Sequence, residues 1–451
     1  MGRKKKIELE IINPNAAGID VGSRSHFAAI GQSLDEVKEF GVYDEDLKSL
    51  SAWLLENNID TVALESTGDY WQNLHAQLLK DGIEVILVNG KFTKNIKGKK
   101  TDVLDCMWIQ KLHALGLLSG SFLPDDVTMQ LRTYCRQRVN MLRWSAQASS
   151  KMQKYLKFLN FRLDVVVSDV CGLTGMKIIQ AICDGNLAPK ELAKMRHYNC
   201  RKSEEEIEKA LQGNNRKEYL FGLKQELESY QFFKQKIKEC DEQIKGFLET
   251  YFLSQEFPVD DIPSKKPFKR LNKNAPKNID LNVASYQYFG GVDLMAIEGV
   301  SHSTVLTLMS EIGPDGIKKF GTAKQFASWL RLAPNNKISG GKTLSNRTPR
   351  GSGRLKIALR NAANAIGNLR EGQLATFFKR IAYKKGRQIA ITATARKLAI
   401  IIWKMVTNKE EYQPTESHMF LDEKRKLGIV KRMKKKIAKL GITNQDLGLL
   451  T

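Results

Sequence analysis

The chain has 451 residues, of which 42% are hydrophobic, so two or three domains with sizeable cores are possible. Its 72 Lys and Arg exceed its 49 Asp and Glu, and the net charge of +23 favours nucleic acid as a partner, although a merely basic protein has the same excess. Six scattered Cys without a CxxC pair argue against a zinc ribbon and a disulfide framework, and no apolar stretch has the length of a membrane span. We expect a cytoplasmic protein with no membrane partner.

The first 120 residues alternate short apolar runs with amphipathic stretches. The pattern predicts two strands in 15–31 with a turn at Gly22, then a strand, a helix, a strand, a helix, a strand and a helix at 36–43, 44–57, 61–66, 70–81, 84–89 and 101–118. Three antiparallel strands followed by alternating helix and strand are the order of an RNase H-like, or RuvC-like, mixed-sheet domain. The predicted fold class is therefore α/β for this part.

The remainder reads as mostly helical. A long helix is predicted at 125–160, and a second helical stretch at 204–252 carries a heptad-like stripe that Lys234 and Asp241 interrupt. This stretch favours a helical hairpin or an intermolecular coiled coil, with an ordinary core-facing helix as the alternative. Low periodicity at 253–286 indicates a linker, and the basic segment 422–440 is predicted to be a helix or a disordered arm. The predicted domains are 1–122, 123–252, 253–290 as linker, 291–410 and a basic tail, 411–451.

Four carboxylates occupy positions that fit a metal site. Asp20 ends the apolar run AAGID, Glu65 ends TVALE, and Asp102 and Asp105 lie one helical turn apart on one helix face. Magnesium prefers oxygen ligands, and two such ions can stabilise both the attacking and the leaving oxygen of a phosphodiester. Acidic residues at strand ends and in first helical turns are common, so only the set of four in this order predicts a Mg²⁺ site.

A second group of candidate residues surrounds Ser339, which stands directly before Gly340, Gly341 and Lys342. Glycines let a backbone approach a phosphate closely, and neighbouring cations add charge. Position 336 is Asn where a P-loop requires Gly, so we reject an ATPase. The predicted nucleic-acid-binding residues are the two glycines, the cations of this segment and those of a lysine-rich loop, namely Gly340, Gly341, Lys342, Arg347, Arg350, Arg354, Lys356, Arg360, Lys94, Lys97, Lys99 and Lys100.

The stretch 296–313, AIEGVSHSTVLTLMSEIG, is similar to a helix-hairpin-helix, a motif whose hairpin amides hold a phosphate. Its turn has Gly299-Val300-Ser301 where such motifs usually have Gly-x-Gly, so a plain helical turn remains the alternative.

Taken together, these segments resemble the bridge-RNA-guided insertion-sequence transposases, the "one-ten" group and its "eleven-eleven" relatives. The resemblance covers most of the chain and rests on motifs in matching order: GIDVG at 18–22, ALEST at 63–67, KTDVLD at 100–105, FASWLRLAP at 326–334, SGGK at 339–342 and AITATARKLAIIIW at 390–403. Cys106 stands where the family usually has a small residue, and the middle of the chain and the segment 253–286 look longer than in compact members.

The resemblance implies an enzyme of a bacterium or archaeon that acts at the nucleoid. It implies a RuvC-like domain whose acidic residues match Asp20, Glu65, Asp102 and Asp105, and a second domain whose nucleophilic serine matches Ser339. The serine would form a transient phosphoserine link to DNA, and carboxylate-bound Mg²⁺ would stabilise the transition state. The implied partners are a structured guide RNA, donor and target DNA, and further copies of the chain in a dimer or tetramer.

Two other functions are compatible with the same residues. In a metal-dependent junction nuclease, water would attack the DNA and Ser339 would only bind phosphate. In a catalytically inactive nucleic-acid-binding protein, neither site would react, but the intact carboxylate set argues against this alternative. The residue that would activate the Ser339 hydroxyl is not identified by the sequence.

Overall fold

A computed structural model describes residues 10–66, 68–90, 101–254, 274–414 and 417–441, and for 417–426 only the backbone. The chain divides into two compact units, Met1–Leu123 and Pro124–Thr451. No helix in these described ranges is both long and apolar enough to span a membrane.

The first unit contains a five-stranded mixed sheet and the predicted helices. Its strands are β1 Ala16–Val21, β2 His26–Ala29, β3 Val37–Phe40, β4 Thr61–Glu65 and β5 Glu84–Val88. Its helices are α1 Asp44–Glu56, α2 Trp71–Lys80 and α3 Asp102–Ala114. The strand order is β3-β2-β1-β4-β5, with β1, β2 and β3 antiparallel and β1, β4 and β5 parallel. The RNase H-like mixed sheet predicted from the sequence is confirmed.

The sheet is covered on both faces because alternate residues of its central strands are apolar on each side. Ile19 and Leu64 point to the face on which Leu50 of α1 and Leu74 of α2 are fully buried. Ala63, Val88 and Ile109 of α3 form a smaller cluster on the opposite face. The helix α3 therefore lies alone among the described helices of this unit on the face to which Gly18, Asp20 and Glu65 point.

Two long helices form the framework of the second unit, α4 Asp126–Phe158 and α9 Lys217–Ser254. They are antiparallel, because residues late in one helix contact residues early in the other: Tyr134 with Phe247, Arg138 with Asp241, Trp144 with Phe233, Lys151 with Glu226 and Phe158 with Tyr219. Of the two predicted forms, this is the helical hairpin within one chain.

Asp241, which interrupts the apolar stripe of α9, is the ion-pair partner of Arg138. Arg138 of α4 donates to the Asp241 carboxylate and, through Nη2, to the backbone oxygen of Asn274 at 2.9 Å. The side chains of Arg138 and Asp241 are 6% and 13% exposed, so the two charges neutralise each other inside the helix pair.

Short helices follow α4 and precede α9, namely α5 Leu163–Val166, α6 Leu173–Cys183, α7 Pro189–Lys194 and α8 Glu204–Ala210. The prediction of one continuous helical stretch over 204–252 is wrong, because α8 ends at Ala210 and α9 begins at Lys217. Gly213, Asn214 and Asn215 lie between them, and Asn215 has a left-handed φ of 55°, which asparagine tolerates better than most residues.

The C-terminal part is helical apart from one hairpin, as predicted. Its helices are α10 Leu281–Tyr288, α11 His302–Glu311, α12 Gly313–Lys318, α13 Ala323–Trp329, α14 Arg354–Ile366, α15 Gln373–Lys385, α16 Arg387–Asn408 and α17 Ser417–Leu440. The hairpin consists of β6 Lys337–Ser339 and β7 Lys342–Ser345. The linker predicted at 253–290 is corrected at its end, because Asp280 caps α10 within it. The basic segment 422–440 is helical rather than a disordered arm.

Candidate functional site

Asp20 and Glu65 lie side by side at one edge of the sheet. Ile19 pairs with Leu64 in the parallel β1–β4 ladder, so Asp20 and Glu65 are the next residues on neighbouring strands, which lie ~4.8 Å apart. Both are at the carboxyl ends of their strands, and both side chains are partly exposed. Glu65 also faces Gly90, since a Cβ there would lie 3.0 Å from the Glu65 carboxyl carbon. Parallel strands thus bring together two carboxylates that are 45 positions apart in sequence.

The helix α3 brings the other two carboxylates toward the same edge. It runs antiparallel to β1, because Nε2 of the buried Gln110 donates to the Ala16 oxygen at 3.1 Å, while Gly18 packs between Cys106 and Gln110. From Ala16 to Asp20 the strand advances ~13 Å, and from Gln110 back to Asp102 the helix advances ~12 Å. The first turn of α3 therefore lies over the strand end that carries Asp20.

Asp102 and Asp105 continue the sheet-facing stripe of α3. Cys106, Ile109, Gln110 and His113 are buried against the sheet, and one turn earlier the same face carries Asp102 and Asp105. The hydroxyl of Thr101 accepts the backbone N–H of Leu104 at 3.3 Å and so caps the helix. Asp102 is exposed and Asp105 partly exposed, so both carboxylates remain accessible to solvent.

The thiol of Cys106 interacts electrostatically with two of these carboxylates. Burial raises the pKa of its thiol to about 12, with smaller contributions from the carboxylates of Asp20 and Asp105. Cys106 is therefore a neutral thiol under the carboxylates at physiological pH. Cys106 itself is fully buried on the side of α3 that packs against the sheet.

The carboxylate group fits a hard divalent cation by its donor chemistry, since all of its ligating atoms would be oxygens. Within the described residues, no three His, Cys, Asp or Glu side chains are close enough together to hold a metal ion as they stand. An ion at this edge would thus use one or two carboxylates and complete its coordination with water and phosphate oxygens, as magnesium commonly does.

Ser339 is the last residue of β6 and is exposed at the tip of the hairpin. It pairs with Lys342 across a two-residue loop of Gly340 and Gly341, whose φ angles are 53° and 73°. Two successive positive φ angles define a type I′ turn, which glycine adopts without a steric penalty. No heavy atom beyond the chain neighbours lies within 4 Å of where a Cβ would stand on either glycine. A phosphate can therefore approach the serine hydroxyl and this backbone closely.

Three contacts fix the base of this exposed hairpin. The backbone N–H of Asn335 donates to the Arg347 oxygen at 3.0 Å, Nη1 of Arg331 to the Arg350 oxygen at 2.6 Å, and Nζ of Lys356 to the Pro349 oxygen at 3.1 Å. An isolated two-stranded hairpin is marginal in water, so these contacts set its position on the helical domain.

The predicted cations of this segment occupy different environments. Lys356 is buried, and burial followed by the charge of Arg360 lowers its pKa, so its side chain holds the loop. Arg360 donates to Thr392 at 3.1 Å. Lys342, Arg347 and Arg350 are exposed on or beside the hairpin, and Arg354 is exposed at the start of α14. The four lysines Lys94, Lys97, Lys99 and Lys100 lie outside the described residues.

The helix-hairpin-helix candidate is packed inside the domain. A Cβ on Gly299, which has a φ of 73°, would lie 2.8 Å from the Ala362 oxygen of α14. Ser301 caps α11 through the N–H of Thr304 at 3.4 Å. Close packing and a left-handed φ therefore explain the glycine without a phosphate.

Sequence reasoning missed Gly18, Gln110 and Arg331. Gly18 stood in the quoted GIDVG motif, but its close contact with α3 is visible only in the structure. For Gln110 and Arg331 the sequence carries no signal, because their partners are distant carbonyl groups of Ala16 and Arg350.

Comparisons with known proteins match both regions of the chain. Residues 17–161 match a model of the DEDD-type IS110 transposases, described as "Transposase", and residues 293–379 match one described as "Transposase IS116/IS110/IS902 family". The first range includes the four carboxylates and the second includes Ser339.

Two curated proteins are similar over 126 residues each. One is a "Probable family 20 transposase" of Pseudomonas aeruginosa, 26% identical over 27% of this chain and 36% of that protein. The other is the "Transposase for insertion sequence element IS1111A" of Coxiella burnetii, 29% identical over 27% of this chain and 34% of that protein. The aligned part thus spans about a third of the length of each relative. With two family models matched in order along one chain, the protein belongs to the IS110 family of transposases.

Proposed function

We propose that this protein is an RNA-guided DNA transposase that cuts and exchanges strands through a covalent phosphoserine intermediate. The observation that carries the proposal is the pairing of two sites in one chain of this family. Four carboxylates lie at one sheet edge, and an exposed serine lies on a glycine turn among cations. The proposal includes a structured guide RNA and assembly into a dimer or tetramer.

In the proposed reaction, Ser339 Oγ attacks a DNA phosphorus and loses its proton to solvent. The bond between phosphorus and one strand oxygen breaks, and that oxygen leaves as a hydroxyl after taking a proton from water. A new strand hydroxyl then attacks the phosphoserine, which releases Ser339 and restores a phosphodiester. The bond energy is conserved in the protein–DNA link, so no nucleotide cofactor is required.

The residues of the two sites have defined tasks in this proposal. Gly340 and Gly341 leave room for the phosphate, and Lys342 places a charge beside it. Asp20, Glu65, Asp102 and Asp105 would hold Mg²⁺, which supplies Lewis-acid stabilisation of charge on the reacting oxygens when bound. These are the carboxylates from which such a cation would take its one or two acidic ligands, with water and phosphate oxygens completing its coordination.

The test is a strand-cleavage assay with the full-length protein, the RNA transcribed from its element, Mg²⁺ and end-labelled DNA. We expect a labelled DNA–protein adduct that survives denaturation and maps to the peptide containing Ser339. Ser339→Ala should abolish the adduct, whereas Thr343→Val, which removes another exposed hydroxyl of the same hairpin, should retain it.

Two other outcomes would point to other functions. Cleavage without an adduct, retained in Ser339→Ala, would identify a metal-dependent nuclease that uses water. An absence of cleavage and of strand transfer, with DNA and RNA still bound, would identify a binding protein. Asp102→Asn should abolish reaction without loss of folding, because the residue is exposed on the first turn of α3.

A further inference from the structure

The second unit contains a cavity of about 700 Å³ that the proposed reaction does not use. It lies between α4, α11 and α14, and Asn274, Ala275 and Pro276 form part of its wall. Its floor is apolar, with Val139, Leu142, Leu306, Ile357 and Ala358 among the lining residues. This volume is within the range of pockets that hold organic ligands.

A cluster of three arginines surrounds Glu311, a buried residue of the cavity lining whose side chain is 10% exposed. Arg136 binds Glu311 with both ends of its guanidinium, Nε to Oε1 at 2.9 Å and Nη2 to Oε2 at 2.7 Å. Arg132 lies 3.6 Å from the carboxylate and also donates to the Glu311 backbone oxygen at 2.6 Å. Arg354 approaches from α14 at 3.7 Å.

The charges in this cluster do not balance. Three guanidinium groups face the Glu311 carboxylate, and Asp125 is a second carboxylate that acts on Arg132, so a surplus of one positive charge remains beside an apolar cavity. Arg132 is 14% exposed and turned inward, but Arg136 and Arg354 are 44% and 41% exposed and both line the cavity. Arg354 also begins α14, and the cap residue Gly353 supplies no side-chain acceptor to the first-turn amides. Helix N-termini and arginines both favour an anion.

We propose that this cavity binds one unpaired nucleotide of a nucleic-acid strand. Its phosphate would lie on Arg136 and Arg354, and its base would rest on the apolar floor near Leu142 and Ile357. Unpaired bases are recognised in this way, by apolar or guanidinium surfaces for the ring and cations for the backbone. This inference rests on the proposed function only in requiring a nucleic-acid partner, and the strand can be DNA or RNA.

The test measures binding by the full-length Ser339→Ala variant, in which the proposed nucleophile is absent. Fluorescent single-stranded DNA and RNA oligonucleotides of the same sequence are titrated over a range of salt concentrations. Arg354→Gln should weaken binding about tenfold and lower the salt slope by ~0.7, the value for one phosphate contact on a single strand. Ala358→Leu, which fills part of the cavity, should also weaken binding about tenfold, because stacked bases contribute by this order.

Matched control variants distinguish loss of binding in the cavity from the effect of removing an arginine, or of enlarging an alanine, elsewhere in the protein. Arg162→Gln makes the same change in an arginine that is 49% exposed and paired with Asp164 outside the cavity. Ala146→Leu makes the same change at an exposed position of α4 that does not line it. Both controls should bind like the parent. Photo-crosslinking of 4-thiothymidine DNA and 4-thiouridine RNA should attach label to peptides around Leu142 or Ile357.

The results of these binding experiments test the proposed nucleotide-binding cavity independently of the proposed Ser339 reaction. Weaker binding of DNA alone or of RNA alone by both cavity variants would assign the pocket to that strand. Loss in Arg354→Gln with normal binding in Ala358→Leu would reduce the site to a surface phosphate contact and overturn the pocket. Equal binding by variants and controls, or crosslinks only elsewhere, would overturn it as well. None of these results depends on whether Ser339 forms an adduct.

Discussion

Replacing Gly18 by alanine should move the helix that carries half of the carboxylate group. A Cβ on Gly18 would lie closest to the Gln110 backbone nitrogen, and it would lie 2.6 Å from the Cys106 oxygen and 2.7 Å from the Gln110 Cα. All three are backbone atoms of α3, which a rotamer change cannot move away. Ordinary contact begins near 3.4 Å, so the helix must withdraw from β1 by more than the ~0.8 Å that is missing at the Cys106 oxygen.

The size of the effect follows from this displacement. Overpacking of this kind destabilises by ~1–3 kcal/mol, which corresponds to a fall of roughly 4–12 °C in the melting temperature of a unit of this size. The larger effect is on the reaction, because Asp102 and Asp105 move relative to Asp20 and Glu65. A misplacement near 1 Å can reduce a rate by about 10²-fold.

The measurements are thermal unfolding and Mg²⁺-dependent DNA cleavage by the full-length protein. Gly120→Ala is the matched control, because its Cβ would lie 3.6 Å from the Ile86 Cβ, an ordinary contact. The control should keep wild-type stability and activity. Gly18→Ala with unchanged melting temperature and unchanged cleavage would refute the close packing of α3 on β1 and the reasoning built on it.

Three further predictions concern other parts of the molecule. Arg138→Ala leaves Asp241 buried without its partner and should lower the free energy of unfolding by ~3–5 kcal/mol in urea, whereas Arg138→Met with Asp241→Leu should recover most of it. Gly341→Ala forces a Cβ onto a φ of 73°, which costs ~1–2 kcal/mol locally, so adduct formation should fall while global unfolding is unchanged. Burial lowers the pKa of three histidines of the first unit, His26, His75 and His113. At pH values between the lowered native pKa values and 6.5, the unfolded chain therefore binds more protons than the folded chain. The stability that the three neutral histidines contribute should be fully present above pH 6.5, and it should be lost as the pH falls through 6.5 toward the lowered native pKa values.

Each of these predictions has a result that would count against it. A loss below 1 kcal/mol in Arg138→Ala would mean that the ion pair is not buried between the long helices. A lower global stability in Gly341→Ala would mean that the hairpin belongs to the cooperative core. The same urea midpoint at pH 7.5 and pH 5.5 would mean that the three histidines are accessible to protons in the native state.

Local pattern was sufficient to predict the first unit. Period-two and period-3.6 hydrophobicity located every strand of the sheet and the helices between them, because these periods are set by backbone geometry. Asp20 and Glu65 could be placed at strand ends, and Asp102 and Asp105 on one helix face, for the same reason. The break between α8 and α9 and the helix inside the predicted linker were missed, because short polar segments have no clear period.

What the sequence by itself determined is the order of elements, the positions of the carboxylates within them and the serine directly before two glycines. Only the tertiary structure decided which distant residues meet. Gly18 under Gln110, Arg138 against Asp241, and three arginines around Glu311 join elements that are far apart in the chain. Hydrophobic periodicity predicts which face of a helix is buried. Which element packs against that face depends on side-chain packing and charge neutralisation between residues that are distant in sequence.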